Sequence, residues 1–327
     1  MNNLNLIQFI MTSNIVAIQM DPLNKISFAT DSSWLIAYEL FKRGFALFIY
    51  TPINLFYRDD EVCARGNFIE IDVYFPAKYN VSKTTVINLA KTKAVIIRQN
   101  PPFNMEYITT TYLLELIKDK TLIINNPTEI RNYAEKLCVL NFPDLTPATL
   151  IASSNTPEVM HFIEAHKQVV IKPIYAFGGL DIEKIESTTP NIKGILNKYI
   201  RKYGNFILQQ YLPSIREGDK RIILLDGEIL GAIKRVPDEQ DFRANLVVGG
   251  SAQTTELSKR DLEICLALKP ELKKRGLFFV GIDIIDKYLI EINVTSPTGL
   301  VAINRLYNKN VEVEIANQIE SKLNCML

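Results

Sequence analysis

Near the C-terminal end, the run LIEINVTSP (289–297) places Glu291 and Asn293 two positions apart in what reads as a β-strand. Alternate side chains of an extended chain share a face, so these two oxygen-bearing groups project together while Ile290 and Ile292 project the other way. Asp283 is the one acid in a second strand-like run, FFVGIDII (278–285), and neither run contains Lys or Arg. Carboxylate and amide oxygens without His or Cys suit a hard cation: Mg²⁺, with Mn²⁺ as the alternative ion. Such a cation keeps several waters and bridges carboxylates to phosphates.

Other residues match a polyphosphate partner. In VVIKPIYAFGG (169–179), Lys172 ends an apolar strand and Gly178-Gly179 follow in a loop, a pairing of amine and free backbone N–H groups that suits phosphates. A snorkelling lysine beside a turn explains the same letters. Lys136, in AEKLC, reads as a residue on a helix face, solvated unless the fold brings it to Lys172. Gln209, Gln210, Tyr211 and Leu212 offer polar edges and an apolar shelf of the kind an adenine ring needs. Asp219, Lys220 and Arg221 then open a strand, Lys220 and Arg221 facing opposite ways; a charged strand start is the plain alternative. In AIKRVPDEQDFRANLVVGG, Lys234, Arg235 and Arg243 flank a polar loop followed by Asn245, which reads either as a cover over transferring phosphate or as a solvated loop.

These residues need elements to position them. The chain has 327 residues, 47% hydrophobic and 22% charged, with a formal net charge of +1. That is enough for two or three compact units, and the balance argues against a nucleic-acid protein. Four scattered cysteines without CxxC spacing read as thiols in a reducing compartment. Two histidines five apart, His161 and His166, fall on different helix faces, so chemistry rests on Lys, Arg, Asp, Glu and backbone. No run approaches the roughly 20 apolar residues of a membrane span. The opening MNNLNLIQFIMTSN lacks a basic n-region, so residues 1–12 read as a loose extension and the location as cytoplasmic.

Strand-like and helix-like runs alternate through the first third (NIVAIQMDP, SSWLIAYELFKRG, FALFIYTP, AVIIRQNPP, EYITTTYLLELIKDK, TLIINNP), which predicts a parallel α/β sheet. Asp21, Arg98 and Asn125 then stand at carboxyl ends of strands, where ligand loops leave such sheets. A helix starting at Pro127-Thr128 and ending at Pro143 leads into a small α+β unit. The remainder reads as richer in antiparallel strands, with Asp226-Gly227 as a hairpin turn. The predicted units are residues 1–132, 133–208 and 209–327.

The order of these segments resembles the bacterial-type glutathione synthetase family of ATP-grasp ligases over almost the whole chain. MDP (20–22), DSS (31–33), IRQNPPF (97–103), EKL (135–137), DLTPATLI (144–151), KP…GG (172–179), YLP (211–213), GDKR (218–221), RANL…GG (243–250) and GLFFVGIDII…EINVTSPT (276–298) carry it, the last most specifically. The resemblance implies an ATP-grasp fold behind an N-terminal parallel α/β domain. It implies ATP between the two later units, with Lys136 and Lys172 at its phosphates, Gln209 to Leu212 around the adenine, and Gly178, Gly179, Asp219 and Lys220 among the ATP-binding residues. Asp283, Glu291 and Asn293 would hold two Mg²⁺ ions. Arg221, Arg235, Arg243 and Asn245 would serve an acyl phosphate and tetrahedral intermediate, and Arg98, Ser296, Asp21 and Ser32 would hold γ-glutamylcysteine. Glycine as second substrate and a homotetramer are implied as well. Two loops depart from the family: YAFGG stands where Asp-Gly-x-Gly-Gly is usual, and PDEQDFRAN has no glycine, which stiffens both. The competing readings are another ATP-grasp carboxylate–amine ligase and a nucleotide-binding module without ligase activity.

Overall fold

The computed structural model describes residues 14–238 and 250–325. Strand β1 (Ile15–Gln19), helix α1 (Ser32–Lys42) and strand β2 (Ala46–Tyr50) open the chain. Asp31 caps α1 by accepting from the Trp34 N–H at 2.7 Å, and Gly44 at φ +85° turns the chain out of it. Strands β3 (Leu55–Arg58), β4 (Glu61–Ile71), β5 (Tyr79–Val81) and β6 (Thr85–Asn88) follow, then β7 (Ala94–Ile97), α2 (Met105–Glu115) and β8 (Leu122–Ile124).

The expected parallel sheet is only its centre. β2, β1, β7 and β8 are parallel neighbours, but β4 runs antiparallel to β2 and to β3, β5 and β6, so the sheet is mixed. The Asp59-Asp60 pair, both at positive φ, makes the tight turn between β3 and β4.

The helix expected to run from Pro127 to Pro143 is much shorter. Asn126 caps α3 (Pro127–Asn132), which ends at Tyr133; a turn and two 3₁₀ segments, Cys138–Asn141 and Pro143–Leu145, complete the stretch. Lys136 therefore stands on a turn and not on a helix face.

The second sheet contains β9 (Thr149–Ala152), β10 (Gln168–Pro173), β11 (Glu183–Glu186) and β12 (Phe206–Gln210), with α4 (Pro157–His166) and α5 (Ile192–Tyr203) between them in sequence. Its order is β11-β10-β12-β9, all antiparallel. Val169, Ile171, Phe206 and Leu208 pack against Val159, Ile163, Leu196 and Tyr199 of the helices. Strand alternation leaves Val170, Lys172 and Gln209 on the opposite face.

The third sheet has the order β15-β14-β13-β16-β17, built from β13 (Asp219–Leu225), β14 (Glu228–Val236), β15 (Ser251–Gln253), β16 (Phe279–Ile285) and β17 (Tyr288–Asn293). Asp226 and Gly227, at φ +48° and +77°, form the expected hairpin turn. Between β15 and β16 lies α6 (Lys259–Arg275), followed after β17 by α7 (Leu300–Tyr307) and α8 (Val311–Asn324). The antiparallel strands expected here are present, and these helices add to them; the Ser258/Asp261 capping box and Gly276 are the local signals for α6. Ile264, Leu268 and Leu272 of α6 cover Ile222, Leu224, Ile282 and Ile284. On the other face Ile223, Leu225 and Ile233 share a core with α1, α7 and α8, so the chain's last helices close against its first. Arg43 fastens that closure, donating to Glu39, Glu320 and the Val313 carbonyl. Among the described residues, no helix is long and apolar enough to cross a membrane.

Candidate active site

The second and third sheets face each other across a cleft lined by Lys136, Lys172, Gly179, Gln209 to Leu212, Asp219, Arg235, Asp283 and Glu291. Apolar walls come from Val170, Ile182, Ile215 and Ile285. An adjoining hollow adds Gly178, Arg221 and Asn293 beside Lys136 and Glu291. Gly178 and Gly179 are at φ +64° and +76°, a backbone that suits glycine and turns the loop across this end.

Four charges form the floor. Asp219 pairs with Arg235 across β13 and β14, and Arg221 pairs with Asp283 across β13 and β16. The Arg221 Nη2 donates to Asp283 at 2.9 Å, the Arg235 Nε to Asp219 at 2.8 Å, and the Arg235 Nη2 lies 3.0 Å from Asp283. All four are buried, and the charges cancel. Burial opposes ionisation of Asp283, but Arg221 and Arg235 outweigh it and hold that carboxyl well below its usual range. For Asp219 burial wins over Arg235 and the carboxyl moves up. Gly281 permits the arrangement: a Cβ there would lie 3.0 Å from Pro297 and 3.2 Å from the Arg221 Cδ.

Glu291 lies opposite Asp283 in the β16–β17 register, and the Asn293 amide is 3.4 Å from the Asp283 Oδ2. This donor set, two carboxylates and an amide oxygen on one face beside two lysines, fits a hard divalent cation by its chemistry. The Lys136 Nζ is 2.9 Å from Glu291 and also donates to the Ala176 carbonyl. Burial pulls the Lys136 amine down, but Glu291 outweighs that and raises it. Lys172 is different. Its buried Nζ donates to the Gln209 Oε1 at 2.9 Å, a neutral acceptor, while the Gln209 amide donates to Thr149 at 2.8 Å. Burial lowers the Lys172 amine to about 8, the pull of Glu291 and Asp283 notwithstanding.

Lys220 does not belong to this site. Strand alternation turns it to the α6 face, where it pairs with the fully buried Asp261 at 2.5 Å. Arg243 and Asn245 lie outside the described residues.

The first sheet supplies a second cluster. Arg98, just past β7, donates from Nε to Ser33 at 2.9 Å and from Nη2 to the Pro297 carbonyl at 2.8 Å, and the Ser296 hydroxyl donates to the Arg98 carbonyl. Its Nη1 is buried with no acceptor among the described residues, and burial lowers the guanidinium to about 10. Ser32 is not an open ligand group: its buried hydroxyl accepts from the Gly299 and Leu300 N–H groups at the start of α7. Asp21 accepts from Asn100 and lines a separate hollow with Tyr50, Thr51 and Arg65. Asn125 is consumed structurally, bonded to the backbone of Phe279 and Val294. Glu135 was not foreseen; its carboxylate accepts from Val294 and Thr295, contacts that no local pattern announces.

Two antiparallel sheets facing each other across a cleft, with Lys172 and a glycine loop on one and oxygen donors on the other, behind an α/β unit, form the ATP-grasp architecture. Similarity in fold runs the same way: D-cycloserine synthetase DcsG aligns with a TM-score of 0.67 at 12% identity, covering 94% of this chain and 99% of its own. D-alanyl-alanine synthetase A from Vibrio cholerae aligns with a TM-score of 0.60 at 12% identity, covering 95% and 99%. Residues 15–131 match the prokaryotic glutathione synthetase N-terminal domain, and residues 135–308 match the prokaryotic glutathione synthetase ATP-grasp domain. The glutathione synthetase of Rhodopseudomonas palustris is 41% identical over 308 residues, 94% of this chain and 98% of that protein. That of Salmonella typhimurium is 35% identical over 312 residues, 94% and 98%. The chain belongs to the prokaryotic glutathione synthetase family, whose chemistry is ATP-dependent carbon–nitrogen ligation in glutathione synthesis.

Proposed function

We propose that the chain joins γ-glutamylcysteine to glycine through an acyl phosphate. In this reading the cysteinyl carboxylate of the dipeptide attacks the γ-phosphorus of ATP, and the bond to the bridging oxygen breaks to release ADP. The glycine amine, having lost its proton, then attacks the acyl carbon, and inorganic phosphate leaves. No protein nucleophile is required; the enzyme positions the reactants and holds charge. Lys136 and Lys172 take the phosphates, the Gly178-Gly179 backbone lies along them, and Gln209 to Leu212 frame the adenine. Arg221 and Arg235 stabilise the anionic intermediate, with Arg243 and Asn245 proposed beside them from sequence. Asp283, Glu291 and Asn293 would hold Mg²⁺ or Mn²⁺, which when bound neutralises phosphate charge.

One observation carries the reading most. β17 bears Glu291 and Asn293 and continues directly to Ser296 and Pro297, which contact Arg98. The nucleotide cleft and the ligand edge of the first sheet are thus joined by one short stretch, and the unpaired Arg98 Nη1 is a donor suited to a dipeptide carboxylate. We further propose a cytoplasmic homo-oligomer; the four free cysteines, three of them buried, agree with a reducing compartment. Sedimentation of the purified chain tests the assembly.

Phosphate release with ATP, γ-glutamylcysteine and glycine tests the reaction. Release should require both substrates, and glutathione should appear in equal amount. Release with D-alanine alone, or none with any acceptor, would assign the cleft elsewhere.

A further inference from the structure

We infer that Glu135 is the positioning residue that sets Lys136 in register with the oxygen donors of β17. Its Oε1 accepts from the Val294 N–H at 2.9 Å, the Thr295 N–H at 3.1 Å and the Thr295 hydroxyl at 2.8 Å. Its own carbonyl accepts from the Ile292 N–H at 3.0 Å. Four hydrogen bonds thus tie residue 135 to residues 292–295. That stretch begins just after Glu291, includes Asn293 and ends just before Ser296.

The need for such a tie is visible in the chain. α3 ends at Asn132 and the next 3₁₀ segment begins at Cys138, so Lys136 stands on a short turn with no helix to orient it. Its amine nevertheless meets Glu291 at 2.9 Å and reaches the Ala176 carbonyl. A long flexible side chain holds such a place only if its backbone is fixed, and Glu135 fixes it to the strand that carries the other ligands. The same bonds occupy the Ile292 N–H on one side of Asn293 and the Val294 and Thr295 N–H groups on the other, which holds the backbone on both sides of it. Partners of this kind orient ligands without touching what they bind, and their loss typically costs about ten- to a hundredfold in affinity. This rests on the reading of Lys136, Glu291 and Asn293 as nucleotide and metal ligands.

The test is calorimetric titration of the full chain with Mg²⁺ and a non-hydrolysable ATP analogue. Glu135→Ala should weaken binding about ten- to a hundredfold. Glu135→Gln, whose amide oxygen accepts the same N–H groups, should stay close to the unmodified chain, and Thr295→Val should fall between. In turnover, the KM for ATP and the Mg²⁺ needed for half-saturation should rise together while the KM for glycine holds, a split that general loss of structure does not produce. A Glu135→Ala chain with native circular dichroism and undiminished binding overturns the inference. Equal weakening by Ala and Gln overturns it too, since that would assign the effect to charge alone. Should Glu135→Ala fail to fold, undiminished binding by Thr295→Val is decisive against it. If the unmodified chain binds no Mg²⁺-nucleotide, the reading of the cleft falls first, which is a distinguishable result.

Discussion

On the wall of the cleft formed by the third sheet, Arg221 and Arg235 are buried beside Asp219 and Asp283, and each guanidinium meets a carboxylate. On the wall formed by the second sheet, Lys172 is just as buried, yet among the described residues its amine donates to the neutral amide oxygen of Gln209, and its basicity falls to about 8. The protein supplies both signs of charge on one side and a single sign on the other. Without ligand the neutral quartet holds a shape, because breaking one pair strands its partner in low dielectric, and its arginines are then set in place for charge that develops only in the reaction. A buried cation without a counter-ion is instead completed by a ligand, and a phosphate is the natural anion. Lys136 stands between these cases, shared by Glu291 and the Ala176 carbonyl.

The contrast is open to attack, most forcefully at the quartet. Arg221→Ala or Arg235→Ala should lower kcat roughly 10²–10³-fold, the usual loss for one donor aimed at developing charge. The double variant should lose less than the product of the two, since they share Asp283. Near-normal turnover by both single variants would reduce the quartet to scaffolding. Glu291→Gln should raise the Mg²⁺ concentration for half-maximal turnover by about tenfold or more, because an amide binds a hard cation far less well than a carboxylate. An unchanged metal titration would leave Glu291 as no more than the partner of Lys136.

The lysine wall should reveal itself through pH. Below about 8, Lys172 is charged in the free protein; above it, the free protein has lost that proton and phosphate binding must restore it. The Kd for nucleotide should therefore rise with pH above about 8, by at most about tenfold per unit, and Lys172→Arg should flatten the rise. Between about 8 and the ordinary 10.5, the unfolded chain binds more protons at this residue than the folded one, so ligand-free stability gains from it as pH rises. Below about 8 the full cost of burying the charge remains. The smallest effect on function belongs to Lys220→Met. Stranding the buried Asp261 should cost about 1–3 kcal/mol in denaturant unfolding, with the KM for ATP unmoved. A raised KM would return Lys220 to the nucleotide.

Legibility followed the range of the contacts. Asp283, Glu291, Asn293, Lys172 and the glycine pair were readable because period-two alternation and a strand-to-loop change are local facts. Arg221 and Lys220 were read as facing opposite ways, and they do, but which way was the ligand side depended on α6, whose apolar face took Lys220 toward Asp261. The letters after Pro127 are helix-compatible and place Lys136 on a helix, but the helix stops at Asn132 and Glu135 is bonded to the end of β17 and the residue after it instead. The antiparallel ribbon from Leu55 to Asn88 went unread because short strands with mixed burial show little periodicity. Ser32 and Asn125 looked like ligand groups at strand and helix ends, and each is used up by backbone from a distant segment.

The alternation of strands and helices at the start, the oxygen donors, the lysines and the family were written in the chain itself, because each depends on residue type and near-neighbour spacing. What tertiary structure alone decided was which of those charges are cancelled and which are left for a ligand. Glu135 and Thr295 are 160 positions apart, and Arg98 and Pro297 are 199 apart. Contacts at that separation arise only when three sheets pack, and burial then determines how strongly each charge demands a partner.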